Sequence, residues 1–251
     1  MHLSPEQKAF YDENGYVLIK GLLTPAGAEA CRAEVHALDG RQGATNATWD
    51  SVKGDTILAH SHDVHFKSAL FTRLLVDDRL TGIAQDLIGP NVQLHHNKVF
   101  IKPPDKGSPF PMHQDYPYFP HRDHSMIAVI VHFDDAPAER GCLCVYPGSH
   151  KLGPLPAEGT DHHVSREKFP IERATQIEAE AGDAIFFHYL LVHGSGTNHS
   201  RHPRTTMLIQ MRDPADEPLN NQHASRGQGM MLAGIDTTVQ EFRFAWDKAG
   251  S

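Results

Sequence analysis

The sequence of 251 residues predicts a mainly β fold with flanking helices, a barrel or sandwich, on two observations. Helix-capping signals and amphipathic segments fill the part before Pro90. After Pro90 the apolar residues occur in short strand-like runs separated by turns rich in proline and glycine. Helices followed by strands argue against a parallel sheet, whose strands alternate with helices. We expect a single domain over 1–251, with a helical part at about 1–90 packed on a β core at about 91–212.

The amino-terminal part begins with a capping signal. Ser4, Pro5 and Gln7 supply an N-cap hydroxyl, a proline at the first helical position and the glutamine of a capping box. They predict a helix from residue 5 to about 14, followed by a strand at 16–19.

A second helix and a longer helical region should follow. Thr24 and Pro25 repeat the capping signal, and we expect this helix to end before Gly40 and to lead into a loop at 41–55. From 66 to 88 the apolar residues recur three or four positions apart, which predicts one broken helix or two consecutive ones.

The remaining sequence is predicted to form strands and loops. A long polar stretch between Gly148 and Arg173 is a candidate loop over a pocket mouth, and 215–238 carries too weak a pattern to assign. Strands are predicted at 92–102, 126–134, 142–146, 174–179, 184–188 and 204–212.

Composition limits the partners of the protein. With 23 basic against 31 acidic residues the formal net charge is −8, which argues against nucleic acid as a partner. Three cysteines are too few, and odd in number, for a disulfide framework, so we expect a reducing, cytoplasmic location. No apolar run approaches the roughly 18 residues of a membrane span, and we predict no membrane partner. The sequence leaves the oligomeric state open.

Histidine is abundant, with 19 residues in the chain, and it suggests a metal site. On an extended segment, residues i and i+2 point to the same face, so a His-x-Asp pair can bring an imidazole and a carboxylate to one ion. Three such pairs are present: His113 with Asp115, His121 with Asp123, and His132 with Asp134.

The surroundings of the three pairs favour the first. His113 and Asp115 stand between Pro111 and the aromatic run YPYFP at 116–120, a stiff frame for ligands. The pair at His121 lies in a charged run, and the pair at His132 lies where an apolar strand ends in a turn.

Three blocks of sequence resemble a known family. The blocks KVFIKPPDKGSPFPMHQDYPYFP (98–120), GCLCVYPGSHK (141–151) and AGDAIFFHYLLVHGSGTNHSRHPRTTM (181–207) are similar, in order and spacing, to those of the phytanoyl-CoA dioxygenase family. Members are non-haem Fe(II) enzymes that depend on 2-oxoglutarate. The resemblance implies a double-stranded β-helix, that is, a jelly-roll or cupin-like barrel.

The resemblance also implies the site. His113, Asp115 and His193 match the family's iron ligands, a 2-His-1-carboxylate set that leaves three coordination positions open. Arg204 matches the arginine that holds the distal carboxylate of 2-oxoglutarate, and Ser195 matches a supporting hydroxyl. A guanidinium suits this task because its planar fork binds a carboxylate through two hydrogen bonds.

Other contacts to the co-substrate remain open. Where the family has a lysine, the chain offers only His60 or His62. His96 or Asn97, on the strand before the iron block, could bind the co-substrate, although an ordinary strand side chain is an equal interpretation of each. Tyr118 is the aromatic residue that we expect to reach the pocket.

The resemblance implies an enzyme that uses Fe(II), 2-oxoglutarate and O2. It would hydroxylate an aliphatic C–H bond of a small organic molecule and convert 2-oxoglutarate to succinate and CO2. Two alternatives keep the same ligands: a non-catalytic metal- or ligand-binding β-barrel, and a zinc hydrolase. An acyl-CoA substrate would require a basic rim around the pocket. Because the chain has a net charge of −8, a small organic acid, amino-acid-like compound or natural product is favoured as the substrate instead.

Overall fold

The coordinates are a computed structural model. It describes residues 1–42, 45–46, 59–104, 109–158, 162–220 and 225–239.

The helices lie in the first part of the chain, as predicted. The first begins with the expected capping box at Ser4 and ends at Gly15, whose φ of 78° lets its N–H donate to the carbonyl of Tyr11. The second was expected to stop before Gly40, but it continues to Gln42, because one glycine costs a helix only about 1 kcal/mol. The helices are α1 (Pro5–Asn14), α2 (Pro25–Gln42), α3 (Ala69–Leu75) and α4 (Asp78–Ile88).

The strands form two antiparallel sheets among the described residues. In the larger sheet the order is β1-β9-β6-β11-β4-β3-β2, with β12 also paired to β4, and in the smaller it is β5-β10-β7-β8. The strands are β1 (Tyr16–Ile19), β2 (Thr45–Asn46), β3 (Ala59–His62), β4 (Val92–Lys102), β5 (Phe110–His113), β6 (Ile127–His132), β7 (Leu143–Val145), β8 (Thr175–Ile177), β9 (Ala184–His188), β10 (His193–Ser195), β11 (Arg204–Arg212) and β12 (Met231–Ala233).

Some short strands were predicted and others were missed. β1, β4, β9 and β11 have the predicted bounds, and β7 and β8 lie within the predicted strands at 142–146 and 174–179, because apolar runs or sufficient length mark these segments as strands. β5 and β10 were not predicted, since three or four residues rich in proline, glycine and histidine carry no strand pattern. Both of these short strands carry proposed metal ligands.

The helices cover the outer face of the larger sheet. Met207 pairs with Val131 and Ile209 with Val129 across β11 and β6, and all four side chains are fully buried in the cluster that contains the apolar residues of the helices. Residues one position away on the same strands face the opposite side of the sheet. Packing of the helices therefore fixes which residues of β4, β6 and β11 face the interior of the barrel.

Short 3-10 helices occur in the connections, at Val64–Phe66, Tyr116–Tyr118, Ala138–Arg140, Ser149–Leu152 and Ile171–Arg173. The last two lie in the predicted loop between Gly148 and Arg173. Among the described helices, none combines the length and the apolar character that crossing a membrane requires.

Candidate active site

A cavity of about 550 Å³ is lined by side chains from both sheets. Lys98 and Gln210 reach it from the larger sheet, and His113 and Ser195 from the smaller. This volume falls within the range of about 300–1,000 Å³ of ligand pockets.

Three buried metal-ligating side chains meet in this cavity. His113 at the end of β5 is the cross-strand partner of His193 at the start of β10. Asp115 follows β5, and its N–H donates to the carbonyl of Tyr189 at 2.9 Å. Its Oδ1 lies 3.7 Å from His113 Nε2 and 3.8 Å from His193 Nε2. The three ligand atoms lie within 4.8 Å of one another, close enough to share one ion.

Backbone carbonyls orient both imidazole rings. Nδ1 of His113 lies 2.7 Å from the oxygen of Pro111, and Nδ1 of His193 lies 2.9 Å from the oxygen of Leu191. Because a carbonyl only accepts hydrogen bonds, Nδ1 carries the proton in each neutral ring. The lone pair is then on Nε2, the nitrogen that faces Asp115, as metal ligation requires.

Gln210 orients the carboxylate of Asp115. Its side-chain amide donates to Oδ2 at 2.6 Å, which leaves Oδ1 on the side of the two imidazoles. Burial works to raise the pKa of Asp115, but the neighbouring imidazoles of His193 and His113 outweigh it and lower the pKa to about 2. Burial lowers the pKa of His193 to about 4. At neutral pH both groups are therefore in the forms that bind a metal.

Two buried cations lie at another part of the same barrel. Arg204 and Lys102 are cross-strand partners on β11 and β4. Nζ of Lys102 donates to Oγ of Ser195 at 2.8 Å and to the carbonyl of Gly196 at 2.6 Å. Arg204 donates to the carbonyl of Gly141, and burial lowers its pKa to about 10. Among the described residues neither side chain has a carboxylate partner, and Arg204, which lines the cavity, can bind an anion.

Unpaired polar atoms mark this cationic end of the cavity. Nε of Arg204 and both ring nitrogens of His132 are buried without a hydrogen-bond partner. Burial lowers the pKa of His132 to about 3, so the ring is neutral and has one N–H to donate. Since buried polar atoms are normally paired, these atoms fit a bound carboxylate.

The sequence profile of the phytanoyl-CoA dioxygenase family matches residues 11–206. The chain belongs to the phytanoyl-CoA dioxygenase family. It is 31% identical over 234 residues to the peroxisomal phytanoyl-CoA dioxygenase of Bos taurus, a match that covers 84% of this chain and 69% of the relative. For the human protein the identity is 30%, over 79% of this chain and 65% of the relative. The chain thus spans about two thirds of the length of these mammalian family members.

Other similar proteins are named for other reactions. The ectoine dioxygenase of Nocardia farcinica is 25% identical over 231 residues, which covers 81% of this chain and 76% of the relative. Among solved structures, the epimerase SnoN in complex with Fe3+, alpha ketoglutarate and nogalamycin RO has a TM-score of 0.73 and 25% identity, covering 92% of this chain and 96% of that one. The carbocyclase SnoK has a TM-score of 0.76 and 22% identity, covering 88% and 95%. The predicted family, fold and dioxygenase class are confirmed.

Five residues were predicted to contact the co-substrate or to line its pocket, two of them from the family resemblance, and the structure separates them. Arg204, Ser195, His96 and Tyr118 all line the cavity. Asn97 does not reach it, and this prediction is corrected. Its side-chain oxygen accepts from the N–H of Val64 at 3.1 Å, on the helical side of the sheet, because from Asn97 to Ile101 the odd-numbered residues of β4 face away from the cavity.

The histidines that stand where the family has a lysine both line the cavity. Burial lowers the pKa of His60 to about 4, and burial also lowers the pKa of His62. Neither neutral ring replaces the charge of a lysine.

The other two His-x-Asp pairs do not converge on a metal site. Asp134 lies 2.8 Å from Nε of Arg32 and accepts from the N–H of Thr205, whereas its partner His132 lines the cavity. His121 has its Nδ1 2.8 Å from the carbonyl of Phe119. Neither pair belongs to a cluster of three ligands among the described residues.

Sequence reasoning missed Gln210, Lys102 and His132. A signal for the first was available, since 204, 206, 208 and 210 alternate along one predicted strand and all line the cavity. Lys102 lies on the same face of β4 as His96, by the same alternation. His132 lies in the predicted strand at 126–134 but was given no role in the pocket, whereas the structure ends β6 at it and places it in the cavity wall.

Proposed function

We propose that this family member is an Fe(II)- and 2-oxoglutarate-dependent dioxygenase that hydroxylates an aliphatic C–H bond of a small organic molecule. In the balanced reaction, substrate, 2-oxoglutarate and O2 give hydroxylated substrate, succinate and CO2. One observation carries the proposal: a three-ligand cluster and an unpaired cationic end lie in the same cavity.

The donor set fits iron. Nε2 of His113, Nε2 of His193 and Oδ1 of Asp115 would hold the ion, and two imidazoles with one carboxylate are the ligands typical of non-haem Fe(II) oxygenases. When bound, Fe(II) supplies the redox chemistry that couples O2 to the oxidation of 2-oxoglutarate and substrate. The chain's own part is to keep both Nδ1 atoms protonated through backbone carbonyls and to fix the carboxylate through Gln210.

The cationic end fits 2-oxoglutarate. Arg204 would anchor its distal carboxylate, with the hydroxyl of Ser195 and the ring N–H of His132 as further donors. Lys102 would hold that hydroxyl in place through its 2.8 Å hydrogen bond. Apolar side chains in the wall, such as Leu143 and Phe187, exclude water and strengthen the ionic contact.

Anaerobic titration tests the proposal. Purified protein is mixed with Fe(II) and 2-oxoglutarate without air, and the visible charge-transfer band of the chelate is recorded; O2 is then admitted and succinate is measured. A band followed by succinate supports the dioxygenase. If the folded protein gives neither the charge-transfer band nor succinate, the result would point to a non-catalytic binding barrel. Hydrolytic activity that needs neither O2 nor 2-oxoglutarate would point to a zinc hydrolase.

The remaining predictions on organisation and location are also proposals. We propose one domain over 1–251, a cytoplasmic location and no nucleic-acid or membrane partner. The net charge of −8 supports this, as do the free and buried cysteines Cys31, Cys142 and Cys144. A count of three reactive thiols in denatured protein purified from its native cytoplasm would agree with a reducing compartment, and fewer would contradict it.

A further inference from the structure

A third cation faces the cavity away from the co-substrate anchor. Lys98 lies on β4, four residues before Lys102, and lines the cavity with His62 and Phe100. Four residues of a strand span about 13 Å, so the two lysines start from well-separated points of the same face. The ammonium of Lys98 lies 5.0 Å from the centroid of the Phe100 ring.

Among the described residues, Lys98 has no carboxylate within 4.0 Å and makes no side-chain hydrogen bond. Two carboxylates, Asp63 and Asp115, belong to the cavity wall. That of Asp115 is already held by Gln210 and faces the two metal-site imidazoles. Burial lowers the pKa of Lys98, because enclosing a charge without a partner costs free energy.

Arg226, an exposed residue, is a further cation in the wall of the same cavity. Its guanidinium lies 4.7 Å from the centroid of the Phe66 ring. Once Arg204 is assigned to the co-substrate and Asp115 to the metal, the described residues of the wall leave two cations, Lys98 and Arg226, and one carboxylate, Asp63.

The nearby histidines do not carry this positive charge. Burial lowers the pKa of His60 to about 4, and it lowers the pKa values of His62 and His96 as well. At pH 7 these rings are neutral, so the cationic character of this end rests on Lys98 and Arg226.

We propose that Lys98, assisted by Arg226, binds a carboxylate group of the substrate. The substrate class is then an organic acid with an apolar body, because Phe100 lies beside Lys98 and Tyr118 and Phe119 line the same cavity. This inference rests on the proposed function, since it concerns the substrate of that reaction.

Three probes of equal length and different charge test the inference: octanoate, octanamide and octylamine. Their dissociation constants are measured by calorimetry on anaerobic protein saturated with Fe(II) and 2-oxoglutarate. We expect wild-type protein to bind octanoate at least about tenfold more tightly than octanamide, and octylamine most weakly. A difference of this size is what a charge-assisted hydrogen bond in an enclosed site contributes to affinity.

Variants assign the preference to one side chain. Lys98→Met should weaken octanoate binding about tenfold and leave octanamide and 2-oxoglutarate binding unchanged. Lys98→Arg should retain the preference for octanoate. Lys98→Glu should favour octylamine. Lys151→Met is the matched control, because Lys151 pairs with Glu13 on the surface, outside the cavity wall. It should bind all probes as wild type does.

Two results would overturn the inference. One is octanoate binding that is absent or no tighter than octanamide binding in wild-type protein. The other is a Lys98→Met variant that loses affinity for 2-oxoglutarate, which would place Lys98 at the co-substrate. Failure of the proposed function would be seen separately, as wild-type protein without the charge-transfer band and without succinate.

Discussion

The two ends of the cavity treat their polar groups in opposite ways. At the metal-ligand end, Nδ1 of His113 and of His193 and Oδ2 of Asp115 each have a hydrogen-bond partner, and of the residues that position the ligands only Gln210 keeps an unpaired atom, its Oε1. At the cationic end, Nε of Arg204 and both nitrogens of His132 have no partner.

This difference indicates what each end binds. At the metal-ligand end, the hydrogen bonds to both Nδ1 atoms and to Oδ2 leave the Nε2 atoms and Oδ1 one use, which is to hold a cation in a fixed geometry. Donors left without acceptors at the cationic end are energetically costly until an anion arrives. The four predictions below separate the two ends, from the largest expected effect to the smallest.

Asp115→Ala should abolish measurable binding of Fe(II), because it removes the one anionic ligand from the cluster. Anaerobic calorimetry with Fe(II) measures the loss. Asp123→Ala is the matched control, since Asp123 is the exposed carboxylate of another His-x-Asp pair, and it should bind iron normally. Retained iron binding in Asp115→Ala would show that the cluster is not the metal site.

Arg204→Ala should leave Fe(II) bound and weaken 2-oxoglutarate by roughly 100-fold or more, since loss of one partner from a buried ion pair costs about 3–5 kcal/mol. The charge-transfer band, titrated with 2-oxoglutarate, reports the affinity. Arg122→Ala removes an exposed arginine that pairs with Glu217 and serves as the control. Equal loss of iron and co-substrate in Arg204→Ala would contradict the separation of the two ends.

Gln210→Leu should weaken Fe(II) binding about 10- to 100-fold, the usual effect of removing a hydrogen bond to a ligating group. The affinity of the iron-loaded variant for 2-oxoglutarate should change less than the iron affinity. Gln176→Leu replaces an exposed glutamine on another strand and should have no effect. A Gln210→Leu variant with wild-type iron affinity would remove Gln210 from the site.

His132→Leu should weaken 2-oxoglutarate about three- to tenfold, the range of a neutral hydrogen bond. Because the pKa of His132 is lowered to about 3, the ring stays neutral from pH 8 down to pH 5.5, and its contribution to binding should be constant over that range. Titrations of iron-saturated wild-type and His132→Leu protein at several pH values check this. If the advantage of wild type increased on acidification, the ring would bind as an imidazolium instead. His199→Leu, at an exposed histidine, is the control.

Four basic residues show how far sequence carries an electrostatic argument. Lys98, Lys102, Lys106 and Arg122 lie close in sequence and could form a basic rim. In the structure Lys98 and Lys102 face the barrel interior, and Arg122 pairs with Glu217 on the surface. Lys106 lies outside the described residues. The alternation of β4, and not the number of lysines, decides where the charges lie.

Sequence by itself determined the strands whose side chains alternate over many residues, such as β4 and β11, and the types of the proposed ligands. It did not choose among the three His-x-Asp pairs from chemistry, because each pair offers the same imidazole and carboxylate at the same spacing. The family resemblance and the frame of aromatic residues favoured the first pair.

Only the tertiary structure decided which groups meet. Asp115 and Gln210 are separated by 95 positions in the chain, and Lys102 and Ser195 by 93, yet each pair is joined by a hydrogen bond. Such contacts depend on the register between strands that are distant in sequence and on which face the helices bury. Because the helices bury one face of the larger sheet, Asn97 points away from the cavity, whereas His96, Lys98 and Gln210 line it.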